Sequence, residues 1–202
     1  MARRAFIPVI ASVFLALTPA FAYEEYVTLS GDVRQATELY ERGQYETSLS
    51  LLNPQTKDPA ALFVIGRDYC MIAEFKKATQ YLKRATIAAP QNSEYMDWLG
   101  RAYEKRAGDS NPLCATVFSK KARLAYERAV ELNAKNADAL SDLFRFYLGL
   151  PGLPGGNYAK AETVAEKMAA VDPEMARLAQ WKLIQAMRAT RNAEQPTAGS
   201  DI

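Results

Sequence analysis

The chain has 202 residues, enough for one domain with its own hydrophobic core, and 25 Lys and Arg against 23 Asp and Glu leave a formal charge of +2. Loss of Arg3 and Arg4 with the leader described below brings that balance to neutral, so neither nucleic acid nor an anionic membrane surface is an expected partner. The sequence contains no histidine, which removes the commonest metal ligand and the commonest general base near neutral pH; histidine-based catalytic triads are excluded, and no cofactor or metal is expected.

Arg3 and Arg4 open the chain, Ala5 to Leu17 is apolar, and Thr18-Pro19-Ala20-Phe21-Ala22 ends in a small-x-small pattern, so residues 1–22 read as a secretory signal peptide. The apolar run is shorter than the roughly 20 residues a bilayer crossing takes, and no cysteine lies near the cut to carry a lipid. A periplasmic or secreted protein without stable membrane insertion after cleavage is therefore expected. Arg3-Arg4-Ala5-Phe6-Ile7 faintly resembles a twin-arginine signal, although an ordinary leader carries the same two charges.

Residues 23–190 then form one array of helix pairs. In the first unit, 29–58, Ala36, Leu39, Tyr40, Gly43, Tyr45, Ser48, Leu49 and Leu52 outline a short helical hairpin, which Pro54 cuts off. The second, 59–92, is the most complete. Small residues at Gly66, Ala78 and Ala85 are spaced among the large Tyr69 and Leu82, and Pro90 stops the second helix.

The third unit, 93–136, repeats the pattern with Gly100, Tyr103, Ala122, Tyr126 and Ala129. Gly66 to Gly100 and Tyr69 to Tyr103 both span 34 residues, whereas Ala78 to Ala122 and Ala85 to Ala129 span 44, which predicts a ten-residue insertion between the two helices, around Lys105 to Phe118. Gly108 to Pro112 carry the turn signal within it. In the fourth, 137–175, Leu143, Tyr147, Tyr158, Ala161 and Ala165 recur around five extra residues containing Pro151, Gly152, Pro154, Gly155 and Gly156. A phosphate loop would need Ser or Thr after Lys160 and a strand before the glycines, and both are missing, so this stretch reads as a loop insertion capped by Asn157. A capping helix over 175–190 and a disordered tail over 191–202 complete the chain.

These residues and the 34-residue period resemble the tetratricopeptide repeat (TPR) of exported bacterial proteins, over nearly all of the mature chain. The resemblance implies an all-α fold: a right-handed superhelical array of antiparallel helix pairs, about four repeats plus a C-terminal capping helix. In that family the first helices line a concave groove that holds an extended peptide or a partner helix. The residue after the small interhelix position faces the groove, and here it is arginine three times, Arg67, Arg101 and Arg145. Phe63, Cys70, Glu94, Asp97, Glu104, Asp138, Ser141 and Leu148 are placed in the groove by the same correspondence. Three guanidinium forks suit carboxylates, so a protein or peptide partner with an acidic segment is expected. Internal pairing competes with that reading: Asp97 lies one turn before Arg101, and Glu94 and Asp138 stand ready for the other arginines. The lysine and asparagine pattern of the chaperone-binding members is absent.

Cys70 and Cys114 form a candidate disulfide, since export exposes them to an oxidising compartment and the repeat places both near the ends of neighbouring first helices; two buried free thiols are the alternative. Trp98 and Trp181 read as packing residues. With no nucleophile, base and orienting group in any motif, the expected function is a noncatalytic protein–protein interaction module or scaffold of the bacterial cell envelope. The competing class is a small-ligand-binding protein or enzyme accessory subunit that uses Glu94, Asp97 and Asp138 beside the arginines.

Overall fold

A helix begins with backbone N–H groups that have no partner inside it, and this chain repeatedly places a short polar side chain at that position. Ser30 accepts from the Val33 N–H, Asp58 from Ala60, Asn92 from Tyr95, Asn111 from Cys114, Asn136 from Ala139, Asn157 from Lys160 and Asp172 from Glu174. Pro59, Pro112 and Pro173 stand in first turns, where a missing N–H costs nothing.

The computed structural model describes residues 30–149 and 157–194, which hold nine α-helices and no strand. They are α1 (Gly31–Glu41), α2 (Tyr45–Leu51), α3 (Pro59–Met71), α4 (Phe75–Ala88), α5 (Ser93–Gly108), α6 (Pro112–Leu132), α7 (Ala137–Leu148), α8 (Tyr158–Ala169) and α9 (Pro173–Glu194). Residues 1–29, which include the expected leader, the proline- and glycine-rich stretch 150–156 and the last eight residues lie outside the described part.

Each first helix packs on its own second helix, and each second helix packs on the first helix that follows. Successive first helices also touch: α1 meets α3, α3 meets α5, α5 meets α7, and α7 meets α9. Among the described residues the second helices make no such contacts with one another, so the array bends with its first helices on the inside.

The close approaches within pairs fall on the glycines picked out by the repeat. A Cβ built on Gly66 would stand 2.5 Å from Cγ of Leu82, and one on Gly100 would stand 2.6 Å from the Tyr126 ring. Leu82 and Tyr126 are completely buried against those bare backbones. The core then runs along the array as three adjoining clusters, centred on Val64 and Ile65, on Leu62, Leu82 and Leu99, and on Tyr126, Leu140 and Met168. Polar ties cross the same interfaces: the Ser93 hydroxyl donates to the Ala129 carbonyl at 2.9 Å and accepts from Asn136 at 2.8 Å, joining α5, α6 and α7.

The two insertions are accommodated differently. In the third unit the extra residues lengthen α5 and α6 to 16 and 21 residues, against 13 and 14 for α3 and α4, and leave a short turn over residues 109–111. In the fourth unit α7 stops at Leu148, and the ends of the inserted stretch are drawn together by the Asn157 N–H donating to the Tyr147 carbonyl at 2.8 Å. The last helix begins at Pro173, two residues before the sequence-based boundary, and continues through residues 191–194 into the segment expected to be tail.

Candidate binding groove

The inner face is built from α1, α3, α5 and α7, and its three arginines do not form the uniform ladder that their equivalent positions imply. Arg101 and Arg145 are neutralised within the fold. Arg101 Nη2 meets Asp97 Oδ2 at 2.9 Å while its Nε donates to Asp142 Oδ2. Arg145 Nη2 meets Asp142 Oδ1 at 2.9 Å and its Nη1 meets Glu104 Oε1 at 3.0 Å. The Tyr126 hydroxyl donates to Glu104 at 2.7 Å, so one polar network runs from Asp97 to Tyr126 across α5, α6 and α7.

Burial governs the electrostatics of that network. Asp97 is almost fully enclosed, and desolvation lifts its carboxyl to about 7 against the pull of Arg101, with Asp142 and Asp138 adding to the rise. Glu94 and Asp138 occupy first turns of α5 and α7, are exposed, and enter no ion pair among the described residues. Asp142, absent from the sequence-derived set, is the carboxylate that both arginines share. Its position three residues before Arg145 was the available signal.

Arg67 is different. It is only 8% exposed, and no ion pair among the described residues involves it. Its guanidinium carbon lies 4.0 Å from the Tyr40 ring centroid of α1, 4.8 Å from Phe63 of α3 and 5.6 Å from Trp98 of α5. Phe63 is itself a buried residue, stacked on Tyr95 with centroids 4.3 Å apart, and so forms the cage wall rather than an open groove surface. Trp98 is half-buried and carries Arg101 on its ring as well, at 4.7 Å. It belongs to the groove, whereas Trp181, expected in the core, is 58% exposed on α9.

Beside the cage lies a cleft of about 330 Å³ lined by Cys70, Met71, Trp98, Arg101, Lys105 and Arg145, among others. A second, of about 190 Å³, lies farther along between α7 and α9, where Ser141 and Leu148 face Met175 and Leu178. The Ser141 hydroxyl contacts the Met175 sulfur at 3.8 Å.

Cys70 and Cys114 are both free thiols in this structure, so the candidate disulfide is not formed. Because the insertion lengthens the helices, Cys114 sits exposed in the first turn of α6, while Cys70 sits beside the cleft on α3. Burial pushes the Cys70 thiol up to about 12, leaving almost no thiolate near neutral pH to act as nucleophile or metal ligand. Among the described residues no three His, Cys, Asp or Glu side chains converge as a metal site, and no helix is long and apolar enough to cross a membrane.

An all-helical solenoid of stacked pairs, with small residues at every pair interface and first helices turned inward, defines the class: this is a TPR-like fold. Solved structures agree. TTC0263, a thermophilic TPR protein of Thermus thermophilus, matches with a TM-score of 0.60 at 21% identity, over 83% of this chain and 91% of that one. Two crystal structures of MamA match with TM-scores of 0.54 and 0.55, each at 17% identity, over 78% and 83% of this chain and 96% of theirs. No protein-family model matches the chain and no curated protein is similar to it in sequence. At these identities the likeness is one of fold.

Proposed function

We propose that this chain is a noncatalytic interaction scaffold of the bacterial cell envelope that holds a peptide or protein partner on its concave face. The observation that carries this reading is the inner surface itself, where successive first helices bring Trp98, Arg101, Asp142 and Arg145 to the edge of one cleft. Half-buried aromatics and arginines are the side chains that dominate protein recognition. The fold supports partner binding, and the signal-like residues 1–22 support export to the periplasm or beyond. The internal neutralisation of Arg101 and Arg145 weighs against the acidic contact expected at them.

A photoreactive amino acid placed at Lys105, on the cleft, or at Thr163, on the back formed by second helices, tests the reading. Envelope extract irradiated with each variant should give a discrete adduct from position 105 and none from position 163. Equal labelling from both positions, or labelling from 163 alone, would remove the groove as the binding face.

A further inference from the structure

We infer that α9 is a self-association surface, on which two copies of this chain pair through their last helices, antiparallel about Trp181. The helix that closes a stack of pairs ordinarily turns a polar side to solvent. On α9, Ala176, Ala179 and Leu183 face the core, but the other side is not polar. Leu178, Trp181 and Ile184 follow one another at intervals of three residues and are 53%, 58% and 47% exposed, a slanting apolar stripe. Large apolar side chains exposed together in this way mark a contact surface, where single ones would not.

The order of the side chains selects the occupant. In an antiparallel pair with its two-fold axis at Trp181, residues equally far before and after that position face each other across the contact. Leu178 of one copy then meets Ile184 of the other, and the two indoles meet at the axis. Glu174 and Arg188 are both exposed and lie seven residues either side of Trp181, two turns along the same line of the helix. Each copy's Glu174 therefore meets the other's Arg188. Arg177 falls opposite Gln185 and Lys182 opposite Gln180, so no like charges are brought together. A parallel pair would instead set Glu174 on Glu174 and Arg188 on Arg188, with the helix dipoles aligned in the same sense. A face that complements itself in both its apolar and its charged positions is suited to a second copy. Without residues 1–22 the chain is formally neutral, so no net repulsion opposes the pairing. One helix from each copy is a small surface against the roughly 1,200 Å² of a standard interface, which makes this a weak, exchanging dimer. None of the residues that line the cleft at Trp98 and Arg101 belongs to α9, so changes on α9 leave that lining intact.

The test is sedimentation equilibrium of residues 23–202 from low micromolar to near-millimolar concentration. A monomer–dimer equilibrium is expected. Trp181→Gln should weaken it about tenfold or more without lowering the melting temperature of the dilute monomer. Glu174→Arg and Arg188→Glu should each weaken it, and the two together should recover most of the affinity. That recovery is specific to the contact between copies, because the double change does not rebuild the ion pair that Glu174 makes with Arg177 of its own helix. A monomer at every concentration would overturn the inference, as would a dimer indifferent to Trp181→Gln or one that the double change fails to recover. A monomer that dimerises only after residues 195–202 are removed would place the chain's own end on α9, and would likewise overturn it.

Discussion

Single residues hold this array together by being small, strained or neutral at one place each. Gly100 faces the Tyr126 ring at a distance no real Cβ tolerates, whereas Gly108, on the same helix, meets nothing within 4 Å. Gly100→Ala should therefore lose about 2 kcal/mol in chemical denaturation, since overpacking outweighs the roughly 1 kcal/mol helix gain, while Gly108→Ala should gain up to ~1 kcal/mol. The turns after α1 and α3 use the same left-handed position, filled by Gly43 at φ 72° and by Ala73 at φ 62°. Only the alanine carries the Cβ penalty, so Ala73→Gly should raise stability by about 1 kcal/mol, and a loss would show that the turn is held by something else. Asp68, fully buried, introduces a pH dependence. The Ser48 hydroxyl has one proton to share between the Ala36 carbonyl, 3.0 Å away, and Asp68, 2.7 Å away. Burial lifts the Asp68 carboxyl from its ordinary 3.8 to about 7, despite the opposing Ser48 bond and Arg67. Folding thus favours the protonated form; that stability is complete below about pH 4 and is lost as pH rises through about 7. The urea midpoint should fall between about pH 4 and 7 and level off above, and Asp68→Asn, which copies the neutral acid, should flatten much of the fall, Asp97 accounting for the rest. An unchanged pH profile in that variant would contradict this assignment.

At the scale of elements, the repeat register was legible because close helix packing leaves a strict mark: Gly66, Gly100, Ala78 and Ala122 recur at spacings that only a stack of pairs requires. The insertions were legible as lengths and not as shapes. Ten extra residues can form a loop or extend two helices, and the choice fell to Asn111 and Pro112, which start α6 immediately after the turn and let the added turns pack on α5. The candidate groove was half legible. Equivalent positions located Arg67, Arg101 and Arg145, but whether each is paired depends on Asp142, Tyr40 and Trp98, which come from neighbouring units and are joined only by the curvature of the array. The final helix shows the same limit. Ala176, Ala179 and Leu183 bury one face of α9, while Leu178, Trp181, Ile184 and Met187 stay exposed, a division that amphipathic spacing alone did not resolve. Trp181→Gln should consequently change thermal stability by less than about 0.5 kcal/mol. A loss above 2 kcal/mol would mean that Trp181 is buried in solution.

Across the whole molecule, stability comes from neighbours, and the proposed recognition falls to the inner wall. Among the described residues helix packing joins only adjacent pairs, while the cage at Arg67 draws one ring from each of three consecutive first helices and brings Tyr40 edge-on to Trp98 two units away. A partner that fills the groove therefore spans at least the first three units and ties them to one another. Hydrogen–deuterium exchange with a captured partner measures this directly. Slowed exchange should concentrate in α1, α3, α5 and α7 and leave the outer helices α4, α6 and α8 unchanged. Protection confined to those outer helices, with the first helices exchanging as in the free protein, would contradict the concave groove as the site of recognition.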